Sequence, residues 1–214
     1  MFDHQRFSKI FKILKLDYLD GKSTDYQLIQ SFLNQLEKVE VAHLKSDHQK
    51  LVFWLNTYNG LTNYAIIHFE IKSNMKEVSD LFKKRFVQIG GMPFSLDDIE
   101  HGLLRRNGRK HLPVDDPRLA FQVDILDYRI HFALNCGAQS CPAIAFYDES
   151  YIEQQLQEAE KSFFDLEFIL DKENKTISCS ALFEWYKSDF GDLFLNDPKY
   201  ADFDIHLRPY DWSV

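Results

Sequence analysis

Residues 51–70 form the segment that most constrains the fold. It reads Leu-Val-Phe-Trp-Leu-Asn-Thr-Tyr-Asn-Gly and continues through Ile66 and Ile67 to Glu70. Apolar and aromatic residues dominate it, so as a helix it belongs in the interior of a domain. It falls short of the ~20 predominantly apolar residues that span a bilayer. Asn56, Asn59 and Asn63, three and four apart, line one stripe of this helix. Asparagine is a mediocre helix former, and a buried carboxamide needs partners. The stripe can face water, satisfy neighbouring loop backbone, or line a cleft and donate to a substrate carbonyl or oxyanion. Trp54 and Tyr58 beside it favour a buried setting.

A chain of 214 residues that is 45% hydrophobic, with 19 Phe and 10 Tyr, can bury a large core in one domain. Its formal net charge of -8 argues against nucleic acid as a partner, because phosphate contacts need a basic face. No secretory h-region is visible in residues 1–20. Phe7, Ile10, Phe11, Leu14 and Tyr18 recur there at helical spacing among lysines. Aspartates interrupt the basic face, which favours a docking helix over a membrane-surface one. Three cysteines leave at least one unpaired, which points to a reducing compartment or a reactive thiol. The expected location is the cytoplasm, or outside the cell if a leader has been removed.

No repeat or linker divides the chain. Residues 1–45 read as an N-terminal helical part and residues 46–214 as the core. A helix is expected over 25–41, and Gly90-Gly91 marks a hairpin between short strands. Ser95 with Asp98 is a variant capping box opening a helix through Arg106, which Asn107-Gly108 ends. Ile152, Leu156, Ala159 and Phe163 mark an amphipathic helix, and residues 167–170 and 176–179 a β-hairpin. Ser180 then caps a helix through Lys187. Without a regular βαβ rhythm, this is an α+β domain: several helices around a small, mainly antiparallel sheet.

Chemistry concentrates in residues 129–142, which hold Cys136 and Cys141. Residues 129–135 read as a strand with Ile130, Phe132 and Leu134 on one face and His131, Ala133 and Asn135 on the other. Gly137 bends the exit and can swing the Cys136 thiol toward His131. A cysteine nucleophile needs a base and a group to orient it. His131, His101 and Glu100 are the available parts, although Glu100 and His101 point about 100° apart on an α-helix. Other readings stay open. Cys136 can be simple core, and a bridge to Cys141 across four residues is geometrically demanding. A zinc site on Cys136, Cys141 and a histidine lacks the usual C-x-x-C spacing. Cys179, in a predicted strand, reads as packing.

Together these segments resemble the domain of unknown function 547 family. The match starts at Phe2-Asp3-His4 and the Asp20-Gly21 turn. It continues through Phe53-Trp54-Leu55-Asn56-Thr57-Tyr58-Asn59 and Ser95-Leu96-Asp97-Asp98-Ile99-Glu100-His101. It is strongest over residues 130–142 and closes at Trp185-Tyr186-Lys187-Ser188-Asp189-Phe190 and Tyr210-Asp211-Trp212. The resemblance brings a cysteine-hydrolase reading, with a cysteine-protease-like arrangement of the domain. Glu100, His101, His131 and Cys136 are the matching positions, with no roles allocated among them. Bacterial members of the family look exported, and plant members add a coiled coil that suits a scaffold (this chain shows no such heptads).

The expectation is a cysteine-dependent hydrolase or acyl-transferase acting on an amide or thioester of a small molecule or peptide. Cys136 would be the nucleophile and His131 the preferred base, with His101 second and Glu100 the orienter. Asn56, Asn59 and backbone amides after Cys136 would hold the oxyanion. No cofactor or metal is required by this scheme. The competing readings are a binding or scaffold module and the zinc site.

Overall fold

In the computed structural model, which describes residues 2–214 (of Arg109 the backbone alone), helix α3 (Asp47–His68) forms the axis, buried from Leu51 to Ile67. Ser46 opens it: its Oγ accepts from Gln49 N at 3.0 Å, and Gln49 Oε1 accepts from Ser46 N at 3.3 Å. Two orphan amides at the helix start are thereby satisfied. Helix α1 (His4–Leu19) lies along α3 with Phe7, Phe11 and Leu14 inward. It is the docking helix expected. The approach is close because α3 carries Gly60, where a Cβ would overlap the Phe7 ring. Helix α2 (Tyr26–Glu37) buries Ile29, Phe32 and Leu36 and ends four residues before the expected Val41, which starts a separate 3₁₀ turn.

Strands β1 (Val87–Ile89) and β2 (Met92–Phe94) form the expected antiparallel hairpin. Gly90 at φ 56° and Gly91 at φ 75° make its turn, which demands positive φ at both central positions. Helix α4 (Ile152–Glu167) runs directly into β3 (Phe168–Asp171), which pairs antiparallel with β4 (Thr176–Ser180). The chain then makes the single turn of helix α5 (Leu182–Trp185), much shorter than the expected run to Lys187. Strand β5 (Asp204–Arg208) adds in parallel to β4. The result is one α+β domain with two small, mostly antiparallel sheets. Among the described residues, no helix is long and apolar enough to cross a membrane.

Two local expectations fail. Residues 129–135 are no strand: Tyr128–Phe132 is a 3₁₀ helix capped by Asp127, whose carboxylate accepts from Arg129 N at 2.9 Å. The alternation of apolar residues mimicked a strand, but a 3₁₀ turn aligns residues three apart. His131 therefore shares a row with Tyr128, and Ala133 and Asn135 lie beyond the last helical residue. The second exception is Asp98–Leu104, a π-helix rather than an α-helix. Its entry is the Ser95–Asp98 reciprocal pair, each side chain accepting the other's N–H at 3.0 Å. Its exit amide, Arg105 N, reaches back five residues to Glu100 O at 2.8 Å.

The largest core cluster surrounds α1, α2 and most of α3. A second is aromatic, built on Phe132, Phe163, Phe183 and Phe190. A third gathers Ile66, Ile71, Met75 and Leu81, and Cys136, Cys141, Tyr210 and Trp212 pack against it. The candidate site opens beside this third cluster.

Candidate functional site

The site is positioned from the back by α3. Asn59 donates to Ala133 O at 3.0 Å and accepts from Asn135 N at 2.8 Å, so one carboxamide satisfies the loop on both sides. Asn135 extends the chain of contacts, accepting from Gly137 N at 2.9 Å and donating to Pro142 O at 2.7 Å. Asn56 treats Tyr147 likewise, through its N–H at 3.0 Å and its carbonyl at 2.8 Å. Asn63 donates to Asn59 O at 2.8 Å. The asparagine stripe is thus buried and anchors loop backbone, and a buried amide with full partners rigidifies what it holds. Asn56 and Asn59 do not line the cleft, and the Gly137 amide offered for an oxyanion is taken by Asn135.

Cys136 and Cys141 are joined in a disulfide, their Cα atoms 6.2 Å apart. This low-ranked pairing is made feasible by a reversal of the chain. Gly137 takes φ 89°, and a turn brings Cys141 N to Ala138 O at 3.1 Å. Gly137 is also needed for space, since a Cβ there would meet Met75 Sδ at 2.9 Å. The Tyr210 hydroxyl touches both sulfurs, at 3.3 Å from Cys136 and 3.1 Å from Cys141. Tyr210 is held there by a C-terminal strap: Gln139 N donates to Ser213 O at 2.8 Å and Met75 N to Trp212 O at 2.9 Å. Cys179 sits in β4 as expected, fully buried, and burial pushes its thiol up to about 11.

The opposite wall is the π-helix. Glu100 accepts from the Tyr186 hydroxyl at 2.6 Å and from Tyr58 at 3.2 Å. Burial first, and then the Glu100 carboxylate, hold Tyr58 and Tyr186 well above the ordinary tyrosine value, so both remain donors. The residues expected to diverge are in fact close: His101 Nδ1 lies 3.6 Å from Glu100 Oε1. That nitrogen also faces Arg105 Nη1 at 3.0 Å. A guanidinium only donates, so Nδ1 is the acceptor of this hydrogen bond.

His131 has a different partner from the one expected. Its Nε2 lies 2.9 Å from Asp189 Oδ2, and its ring stacks on Tyr186 with centroids 3.8 Å apart. Asp189 is clamped by Arg105, through Nε at 2.6 Å and Nη2 at 2.9 Å. Burial alone would raise the Asp189 carboxyl, but its bonds to His131 and Arg105 hold it well below the usual carboxylate range. Burial also lowers His131, against the pull of Asp189. A neutral imidazole donating Nε2–H to a carboxylate keeps the lone pair on Nδ1, the arrangement a general base needs.

These elements enclose one cleft of about 170 Å³. It brings Glu100, His101, His131 and Cys136 together, with Cys141, Tyr58, Tyr186 and Tyr210 in the same walls. Asp189, Arg105 and the tyrosines were missed as functional candidates. Most of them lay inside the recognised motifs, but nothing in their spacing told that residues 185–190 fold back onto His131. The two cysteine sulfurs face each other, and among the described residues no group of three or more His, Cys, Asp or Glu side chains is placed to hold a metal ion.

The family described as a protein of unknown function, DUF547, matches residues 41–164, more than half of the chain. The chain belongs to the DUF547 family. No curated protein and no solved structure matches it. The matched span contains the asparagine stripe, the π-helix and the disulfide loop, whereas Tyr186, Asp189 and Tyr210 lie beyond it. In this DUF547 protein the candidate site is completed by residues outside the span that the family match covers.

Proposed function

We propose that this DUF547 protein is a thiol-dependent acyl-transfer enzyme, hydrolysing or transferring the acyl group of an amide or thioester, and that it acts with the Cys136–Cys141 bridge reduced. The observation that carries this reading is the convergence of Cys136, His131, His101 and Glu100 on one cleft, with Asp189 behind His131. Asp189, rather than Glu100, is the orienting group. Reduction by an external dithiol adds two electrons and two protons to the bridge, and Cys136 is then free to rotate. His131 Nδ1 takes the thiol proton and the thiolate attacks the carbonyl carbon. The Tyr210 hydroxyl, which burial keeps protonated, meets the developing oxyanion. His131 returns the proton to the leaving amine or thiol, and water or a second nucleophile releases the acyl group.

The test is turnover of S-acyl and anilide reporters by protein with and without prior reduction, alongside site-resolved alkylation of the cysteines. Reduced protein should turn over a reporter, and Cys136 should alkylate faster than Cys141. Failure of every reporter, with Cys136 no faster than Cys141, would reject the reading. A second reading has its own support: Asn56, Asn59 and Glu100 already hold full sets of partners, as expected of a rigid binding module. That module predicts slow alkylation of both reduced cysteines until the protein unfolds.

A further inference from the structure

One corner of the cleft is unlike the rest. Trp185, Tyr210 and Trp212 pack as a cluster there, with ring centroids 4.8 Å apart for Trp185–Tyr210 and Tyr210–Trp212 and 6.0 Å for Trp185–Trp212. All three line the cavity, as do the carboxylate side chains of Asp97 and Glu100. No lysine or arginine lines it among the described residues. The nearby guanidinium of Arg105 is neutralised by Asp189, and burial lowers His131 toward the neutral imidazole. Among the described residues, the lining thus presents aromatic faces and anionic oxygens without a lysine or arginine.

We infer that this cleft recognises an alkylammonium group, seated against the Trp185–Tyr210–Trp212 cluster and facing Asp97 and Glu100. Ring faces attract cations through their quadrupole, tryptophan most strongly, and a desolvated setting increases the effect. The chain already uses these surfaces in that way. Lys76 Nζ lies over the Trp212 ring at 5.1 Å, and the Arg105 guanidinium lies over Tyr186, another lining residue, at 5.0 Å. Burial raises Asp97, so its charged form gains from an arriving cation. The volume of about 170 Å³ suits an ammonium on a short alkyl chain. As a statement about substrate, this inference rests on the acyl-transfer reading: the substrate would carry a primary amine close to its reacting carbonyl. As a statement about binding, it stands independently.

The test is a tryptophan-fluorescence titration of the oxidised protein, at constant ionic strength, with n-butylammonium, the neutral isostere 1-pentanol, and butyrate. Trp185 and Trp212 report on the cleft, while Trp54 is buried in the core. Butylammonium should give a saturable change at least about tenfold tighter than pentanol, and butyrate none. Asp97→Asn and Trp212→Leu should each weaken it by about tenfold, with circular dichroism confirming the fold. The Asp97 variant decides the matter if the tryptophan variant does not fold. Equal binding of pentanol, or indifference to Asp97→Asn, would overturn the inference. If butylammonium binds but no reporter is turned over and Cys136 alkylates no faster than Cys141, the acyl-transfer reading fails and this one stands. If reporters turn over but butylammonium binds no tighter than pentanol, the converse holds.

Discussion

Helix α3 and the segment from Tyr128 to Pro142 lie against each other but are made by opposite means. The helix is regular, buried from Leu51 to Ile67 and largely apolar there, and its asparagines Asn56 and Asn59 hold loop backbone. The segment has one short 3₁₀ helix and otherwise no repeating structure. Asn59 in effect supplies the hydrogen bonds that a sheet neighbour would have given residues 133–135. The contrast shows how a segment of irregular backbone is kept precise: a rigid element lends it partners, and the candidate side chains Cys136 and His131 stay on the irregular side.

Substitutions on the two sides should therefore separate chemistry from stability. The largest effect belongs to Cys136→Ser in reduced protein, which should lower turnover by about a thousandfold or more while the thermal midpoint stays that of reduced wild type. Asp189→Asn comes next. It removes the negative charge and one of the two acceptor oxygens that His131 and Arg105 share, leaving Arg105 buried without its charge partner, so turnover should fall by about a hundredfold or more. Stability should fall by about 3 kcal/mol, measured by denaturant unfolding. A full loss of activity in Cys136→Ser matched by an inert Asp189→Asn would break the triad while keeping the thiol.

On the helix side, Asn59→Leu should cost about 2–4 kcal/mol, since it strands Ala133 O and Asn135 N. It should also speed alkylation of reduced Cys136 by loosening its loop. Gly60→Ala is the control for the comparison: it should cost about 1–3 kcal/mol by forcing Phe7 away and leave turnover per folded molecule unchanged. If Gly60→Ala altered turnover as much as stability, the division between rigid support and reactive segment would be wrong.

The smallest effect is on pH dependence. Burial lowers the folded-state pKa of His131, and likewise of His4 and His68. Below about pH 6.5 the unfolded chain therefore binds protons that the folded one refuses, and stability declines on acidification through that range. Thermal midpoints measured between pH 7.5 and 5 should fall, and less steeply in His131→Gln. An equal slope in the variant would show that His131 is not held neutral.

Much of the fold is legible in the residues because it rests on local rules. Gly90-Gly91 allows the positive φ of a hairpin, and the spacing of Ile152, Leu156 and Phe163 makes α4 amphipathic, whereas the Ser46–Gln49 capping box starts α3 four residues before the expected Leu51. The strand expected at 129–135 shows the limit. Period-two alternation over a few residues does not outweigh a capping aspartate at 127 when no neighbouring strand is there to pair.

The amino-acid order narrowed the candidates for chemistry: the histidines, Glu100 and the cysteines are few, and their types restrict what they can do. It marked too the buried helix expected over 51–70, which the structure closes at His68 with burial from Leu51 to Ile67. Tertiary structure alone decided who meets whom. Asp189 reaches His131 across 58 positions and Tyr186 reaches Glu100 across 86, and Cys136 pairs with Cys141 because Gly137 turns the chain back. Such meetings depend on how separate elements pack, and packing is settled by the burial of the whole chain rather than by any local pattern.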